Sequence, residues 1–486
     1  MPRRERTKKS PSPTADVYAS PLVMRNASRA MASLFSPRHR AVTWRRIWLA
    51  LAESQRELGL SIAANQVSAL KKSLERIDFD VVRAHERRLR HDVMAHLHAF
   101  GDAAPAARGI LHLGATSMDV VDNADLLIMR DALGLIRAWL LSVVDALSRQ
   151  AKRHRELACL GFTHYQPAQL TTVGKRISLW CWDFVRDLEE IDRLHDGLRF
   201  RGIRGATGTQ ASFLSLLGSE AKVRRLEKLV AKKLGFDQSE PVTGQTYSRK
   251  VDAQVTSALA NIAAGVHKFA NDMRLLANLK EMEEPFEKSQ VGSSAMAYKR
   301  NPMLCERATG LARFVISLAQ SGFQNAAEQW LERTLDDSSN KRLLIPEAFL
   351  ATDGMLQIVT RVAGGLVVYP KVIRARIDAE LPFIATEETL MAASAKGGDR
   401  QALHERIRVH SQAAAAEVKH QGRQNDLLDR LRSDPAFKSV QIDKVMAPER
   451  FVGLAPQQVD SFLRIVIAPL QKRFKGIRRP KPEINV

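Results

Sequence analysis

Three stretches of this chain carry an apolar residue at every third or fourth position for close to 30 residues each, and that pattern leaves few folds open. Within 122–149 the stripe is Leu126, Met129, Leu133, Ile136, Leu140, Val143 and Leu147. Within 168–198 it is Val173, Ile177, Trp180, Phe184, Leu188, Ile191 and Leu194. Within 251–279 it is Val255, Leu259, Ile262, Val266, Phe269, Met273 and Leu276. Steps of three and four put these side chains on one face of an α-helix. A fourth helical stretch is expected at 303–332, and no strand-period alternation of comparable length competes. At 1.5 Å per residue each helix is about 40–45 Å long. The fold class is therefore all-α, with a central bundle of long helices. Asp122 is placed as the N-cap of the first of them. The stripes alone could close one intramolecular bundle. Leu127, Leu135, Trp139 and Leu141 lie off the first stripe, which points to helices covered on several sides, as in an oligomer.

The flanks read differently. Residues 1–19 are basic and rich in Pro and Ser, the composition of a disordered tail. Residues 20–116 read as an N-terminal domain of short helices and 117–368 as the central bundle. Near Tyr369-Pro370 the long pattern stops, and 369–474 read as a smaller helical domain, followed by a second basic tail at 475–486. The length of 486 residues fits such a multidomain chain. Lys plus Arg is 74 against 53 for Asp plus Glu, a net charge of +21. That excess suits an anionic substrate, a nucleic acid or an acidic surface. Part of it is peripheral: Arg3, Arg4, Arg6, Lys8 and Lys9 crowd the start, and Lys472, Arg473, Lys475, Arg478, Arg479 and Lys481 the end. Solvated tails explain those clusters at least as well as a binding role. Cys159, Cys181 and Cys305 form no paired spacing, which argues against a disulfide framework or a zinc knuckle and for a reducing, cytoplasmic setting. No apolar run follows the basic start, and no uncharged apolar run of about 18 residues occurs. Neither a secretory signal nor a membrane span is expected.

Six polar strings interrupt this scaffold. Ser293-Ser294-Ala295-Met296-Ala297-Tyr298-Lys299-Arg300-Asn301-Pro302 follows Gly292 and precedes a helical pattern. It reads as a mobile loop able to fold over an anion, and its serines are candidates for proton transfer if nearby cations stabilise the alkoxide. An ordinary polar loop is the plainer reading. Thr163-His164-Tyr165-Gln166-Pro167-Ala168-Gln169 places an imidazole, a proton donor near pH 7, in a polar turn at the entrance to a long helix. A lone His is more often structural. Arg90-His91-Asp92 is followed by His96 and His98; the five-residue step from His91 to His96 fits helical zinc ligation poorly, so no metal is expected. Gly114-Ala115-Thr116-Ser117 puts hydroxyls ahead of a helix N-terminus, where a carboxylate would be welcome, although capping alone explains them too. In Arg333-Thr334-Leu335-Asp336-Asp337-Ser338-Ser339-Asn340-Lys341-Arg342, the residues Arg333, Ser338 and Arg342 could clamp a phosphate, or form an exposed charge cluster. Gly205-Ala206-Thr207-Gly208-Thr209-Gln210 lacks the Gly-Lys-Ser/Thr of a P-loop.

The Ser293 string resembles the signature loop of the fumarase/aspartase superfamily, and its Tyr-Lys-Arg-Asn-Pro ending resembles the adenylosuccinate lyase branch. The His164 string, continuing through Leu170-Thr171-Thr172-Val173-Gly174-Lys175-Arg176, and the run Arg333–Arg342 are similar to the same branch, of the vertebrate-like type. So is Leu381-Pro382-Phe383-Ile384-Ala385-Thr386-Glu387. The likeness covers residues 20–474. The superfamily loop alone would leave argininosuccinate lyase, aspartase and fumarase open. The resemblance implies a three-domain fumarase/aspartase-like fold, a homotetramer whose sites draw on three subunits, and no cofactor. It implies succinylated purine nucleotides as substrates, namely succinyl-AMP and the succinylaminoimidazole carboxamide ribotide, and a β-elimination that releases fumarate. By resemblance Ser293 is the base and His164 the acid. Lys299 would stabilise the alkoxide and His91 would assist the acid. Glu306 is a further candidate, orienting His164 or Lys299. Arg25, Asn26, Arg90, His91, Asp92, Thr116, Ser117, Gln245, Arg307, Arg333, Ser338 and Arg342 would hold the substrate.

Three positions depart from the family pattern. Ala297 stands where Pro is usual, which loosens the loop. Asn26 stands where vertebrate-like relatives have Tyr. Met118-Asp119-Val120-Val121 differs from the usual string, and Asp119 is expected to bring negative charge near a carboxylate pocket. A nucleic-acid-binding protein is the rival from another class; it rests on tail charge alone, with no zinc-finger, helix-turn-helix or RNA-binding pattern beside it. A catalytically silent relative is a third reading, against which the intact Ser293, His164 and Lys299 count.

Overall fold

The computed structural model describes residues 17–287, 290–442 and 446–484. After a short π-turn at Leu22–Asn26 come α1 (Arg29–Leu34), α2 (Pro37–Glu57), α3 (Ala64–Ser73), α4 (Phe79–Leu89) and α5 (Asp92–Ala103). The first long helix is α6 (Ser117–Arg153), 37 residues and about 55 Å from end to end. The hairpin of β1 (Ala158–Thr163) and β2 (Gln166–Thr172) leads into α7 (Val173–Gly197), and α8 (Ala211–Leu217) and α9 (Glu220–Lys233) lead to α10 (Lys250–Asn278). Strand β3 (Met282–Glu283) opens the Ser293 loop, and α11 (Met303–Ala327), α12 (Asp336–Gly364) and β4 (Val367–Val368) follow it. The rest is α13 (Pro370–Ile384), α14 (Thr386–Ser394), α15 (Arg400–Gln421), α16 (Leu427–Ser433), α17 (Ala455–Phe462) and α18 (Ala468–Arg473).

The bundle is α6, α7, α10, α11 and α12: α6 lies along α7, α10 along α11, and α12 against both α6 and α11. The striped residues face inward, all seven of each stripe being buried. Burial of large aliphatic and aromatic side chains contributes about 1.5–3 kcal/mol each, so this interior is the main source of stability. Helix α12 is long and apolar enough to cross a membrane by length and composition, but 78% of its most apolar stretch is buried among the other helices. It is a core helix. Leu390, Leu403, Ile407, Leu427, Leu431, Phe437 and Ile442 make a second, separate core in the α14–α16 region. Val459, Ile467 and Phe474 return to the main one.

Several local expectations need correcting. The helix expected from 168 starts at Val173, because 166–172 pair with 158–163 as an antiparallel hairpin. The pattern from 173 onward is helical, but the residues before it are not. The helix expected to run to 332 stops at Ala327. The first long helix starts at Ser117, with the Asp119 carboxylate accepting the Thr116 N–H at 2.8 Å, and Asp122 lies a turn inside it, fully buried. Leu127, Trp139 and Leu141 are buried within the single chain, and Leu135 packs against the same core. Helix α6 is covered on several sides within the single chain, so the burial of those off-stripe positions needs no oligomer contact. The basic segment after α18 is not a free tail either. Arg479 Nε donates to Asp145 at 2.9 Å, Ser142 Oγ to Pro480 O at 3.3 Å, and Glu483 N to Gln357 Oε1 at 3.1 Å. The basic cluster at Arg3–Lys9 lies outside the described residues.

Candidate active site

At one end of the bundle a cavity of about 330 Å³ is lined by His91, Asp92, Thr116, Ser117, Gln245, Arg333, Ser338 and Arg342, all candidates from the sequence. Arg40, Arg249 and Lys341 line it as well. Their positions follow from helix ends. His91 caps α5, its Nδ1 accepting Met94 N at 3.5 Å, and its Nε2 faces Ser117 Oγ at 3.5 Å. Thr116 and Ser117 open α6, where unpaired N–H groups and the helix dipole favour an anion. Arg90, in a left-handed conformation (φ 54°), ends α4 just before His91. The other imidazoles turn away: His96 packs edge-on against Trp44 with ring centres 5.1 Å apart, and His98 stacks on His85 at 5.3 Å.

The wall behind these groups is a buried ionic lattice that the sequence reading missed. Arg249 donates to both oxygens of Asp122, at 3.1 and 3.0 Å, and to Asp337 at 2.6 Å. Lys341 lies 2.8 Å from Asp125 and 3.4 Å from Asp122. Arg333 holds the other oxygen of Asp337 at 2.6 Å. Burial opposes ionisation of Asp122, but Arg249 and Lys341 outweigh it and bring its pKa to about 2. Burial and Arg249 act against the Lys341 ammonium, and Asp125, Asp122 and Asp252 outweigh them, raising its pKa. Burial likewise opposes the Asp92 carboxylate, but the Arg342 bond at 2.8 Å and the Val93 N–H hold its pKa below the usual range. Arg333 and Arg342 each give one N–H to a carboxylate and keep others, since a guanidinium has five. The sequence traces of this lattice are charge at positions within or beside the apolar stripes and the charged run Arg333–Arg342.

Asp119 does not charge the cavity. It is fully buried and faces the 201–205 loop, where it pairs with Arg201 and accepts Arg204 N at 2.8 Å and Gly205 N at 3.1 Å. The glycine string beside it is built for close approach. Gly208 has φ +84°, and a Cβ there would lie 2.0 Å from Thr243 O. Gln245, next along, donates to Ala206 O at 2.9 Å.

The other candidates, Arg90 apart, lie away from this cavity's lining: at the Ser293 loop and the start of α11, around Arg25, Asn26 and Arg307, and at the β1–β2 hairpin. Ser293 is half-buried in the loop, and its Oγ accepts Met296 N at 3.2 Å and Ala295 N at 3.4 Å. N–H groups aimed at a hydroxyl oxygen stabilise its alkoxide. The loop is pinned at its ends, since Asn301 Nδ2 donates to Gly292 O at 2.8 Å while Ser294 to Arg300 are exposed, Lys299 among them. Glu284 accepts Leu304 N and Cys305 N, each at 3.0 Å, and so fixes the start of α11. Glu306 is exposed in that first turn, and among the described residues no hydrogen bond joins it to His164 or Lys299. Arg307 donates to Asn26 Oδ1 at 2.7 Å and to the Arg25 carbonyl. Burial, then the neighbouring Arg25, lowers the Arg307 pKa.

His164 is at the exposed tip of the β1–β2 hairpin, not at a helix entrance. His164 (φ 50°) and Tyr165 (φ 58°) are both left-handed, the geometry of a two-residue type I′ turn that normally takes Asn-Gly. Non-glycine residues pay strain there, and such strain concentrates at functional positions.

Residues 49–317 match the family model described as Lyase, and residues 382–462 match that described as Adenylosuccinate lyase C-terminus. The adenylosuccinate lyase of Saccharomyces cerevisiae is 51% identical, over 98% of this chain and all of that protein. That of Schizosaccharomyces pombe is 49% identical, over 95% of this chain and 97% of its own. Among solved structures, the 3-carboxy-cis,cis-muconate lactonizing enzyme from Pseudomonas putida superposes with a TM-score of 0.79 over 93% of this chain and 99% of its own, at 24% identity. At that identity the likeness speaks for the fold alone.

Proposed function

The chain belongs to the adenylosuccinate lyase family, and from that premise we propose an active site assembled from segments of neighbouring subunits. It is a carbon–nitrogen lyase. It eliminates fumarate from succinyl-AMP, leaving AMP, and from the succinylaminoimidazole carboxamide ribotide. In our reading Ser293, as the alkoxide, takes the proton from the carbon next to a carboxylate. The electron pair spreads into that carboxylate, then forms the carbon–carbon double bond as the C–N bond breaks. His164 gives a proton to the departing nitrogen, oriented with help from His91. Lys299 and the two N–H groups at Ser293 stabilise the alkoxide. Thr116, Ser117 and Gln245 hold the succinyl carboxylates. Arg25, Asn26, Arg307, Arg333, Ser338 and Arg342 take the phosphate, with Arg90 and Asp92 fixing His91. Closure of the loop would exclude water. Glu306 we keep as an orienting group for Lys299. We place the enzyme in the cytoplasm.

The observation that carries this reading is the cavity itself: it gathers cations and hydroxyls from distant segments, yet neither proton-transfer candidate lines it. A homotetramer would supply them from other subunits. The exposed apolar residues Leu179, Trp182, Leu275, Phe314, Ile316 and Phe323 support that assembly, since they lie on the bundle helices α7, α10 and α11. The test is complementation. Ser293→Ala and His164→Ala subunits, each inactive alone, are mixed and fumarate release is followed by absorbance on both succinylated nucleotides. Shared sites restore part of the activity on mixing. A mixture as inactive as its parents, with mixed tetramers verified, would place both groups in one subunit's site.

A further inference from the structure

The basic segment after α18 reaches back to the turn that carries Arg25 and Asn26. Pro480 and Pro482 stiffen it, because proline fixes φ and lowers the entropy lost on docking. Arg479 nails its beginning, donating to Asp145 at 2.9 Å and to the carbonyls of Phe474 and Ile477 at 2.8 and 2.6 Å. Ile477 and Ile484 pack against the main core. Glu483 N then donates to Gln357 Oε1 at 3.1 Å.

Gln357 is 1% exposed and uses both ends of its amide. Its Nε2 donates to Asn26 O at 3.0 Å and to Asp353 Oδ2 at 3.2 Å. Asp353 also accepts Trp139 Nε1 at 2.8 Å and Ser28 N at 2.5 Å. A carboxylate surrounded by donors requires the amide nitrogen on its side, so the amide oxygen must face the strap. The turn also has no slack: a Cβ at Gly354 would lie 3.0 Å from both Asn26 Cβ and Asn26 O.

We propose that residues 477–484 are a strap that, through Gln357, holds the backbone of Arg25 and Asn26 in place for nucleotide binding. Gln357 is thus a positioning residue that touches no substrate. The inference rests on the reading of Arg25 and Asn26 as substrate contacts. Loosening the strap leaves the proton-transfer groups alone, so it weakens binding without slowing the chemical step.

The test uses the full-length enzyme with succinyl-AMP. Glu483→Pro removes the N–H that donates to Gln357. Gln357→Leu removes the bridge while keeping the strap. Arg25→Ala serves as the control. A hydrogen bond of ordinary strength predicts KM raised about fivefold in Glu483→Pro and about tenfold in Gln357→Leu, with kcat within about twofold of the parent. Amide exchange over residues 22–29 should quicken in both. If Arg25→Ala raises KM while both strap variants bind and exchange like the parent, the strap has no such role and the inference falls. If Arg25→Ala leaves KM unchanged, the contact reading fails and takes the strap with it. If Gln357→Leu does not fold, Glu483→Pro decides alone.

Discussion

Arg249 and Asp122 are fully buried, cross-linked to α12, and held before any substrate arrives. Ser293 and His164 are held by little more than their own backbone, one in a loop and one at a hairpin tip. The difference separates two tasks. An anion site benefits from charges whose desolvation is met during folding, so that binding need not reorganise them. Groups that move protons must meet the substrate from another direction and let product leave, which favours elements that can shift. The same contrast fits a chain that builds a wall for the cavity but keeps Ser293 and His164, the proposed proton-transfer groups, out of its lining.

The sharpest way to break the comparison is to remove the two proposed proton-transfer groups. Ser293→Ala and His164→Ala should each lower kcat by about 10²–10⁴-fold or more while leaving the melting temperature and the oligomer unchanged. A matching loss of stability would mean that loop and hairpin are as integral as the wall. Arg249→Met should do the opposite. It removes the cation that Asp122 and Asp337 share, leaving Asp122 with Lys341 alone and Asp337 with Arg333 alone, and should cost about 3–5 kcal/mol in denaturant unfolding. Acid should act through the same lattice. Asp122 has a folded pKa of about 2 against the ordinary 3.8, so its contribution is whole above about pH 4 and is lost as pH falls toward 2. Unfolding monitored by circular dichroism should begin in that window, and a stability flat from pH 5 to pH 2 would contradict the assignment. The smallest effect belongs to Ala297→Pro. Stiffening an exposed loop position should change kcat by about twofold at most and stability by less than about 1 kcal/mol. A collapse of turnover would show that this loop closes in its own way.

Periodicity exposed the bundle because every third or fourth residue from Leu126 to Leu147 meets the same neighbours, and a local repeat records that. The hairpin stayed hidden because its turn is His164-Tyr165 rather than an Asn-Gly pair, and its second strand runs straight into a helix. The strings around His91, Thr116 and Arg333 stood out by composition, and the fold brings them to one cavity. Arg40 and Arg249 line the same space but sit in unremarkable strings, and Lys341 lies in the Arg333–Arg342 run without having been picked out of it.

What the sequence determined by itself was the helical architecture and the residue types suited to an anionic substrate, because each is written in local spacing and composition, and, through the resemblance of its motifs, the family. Which charges face the cavity and which disappear behind it was decided only in three dimensions. Asp119 looked like a cavity charge and is an internal anchor, and the basic segment after α18 looked like a loose tail and is docked. The partners that settle such questions lie 127 residues apart for Arg249 and Asp122 and 219 for Lys341 and Asp122. A charge is neutralised by whatever folds beside it, and no local pattern carries that information.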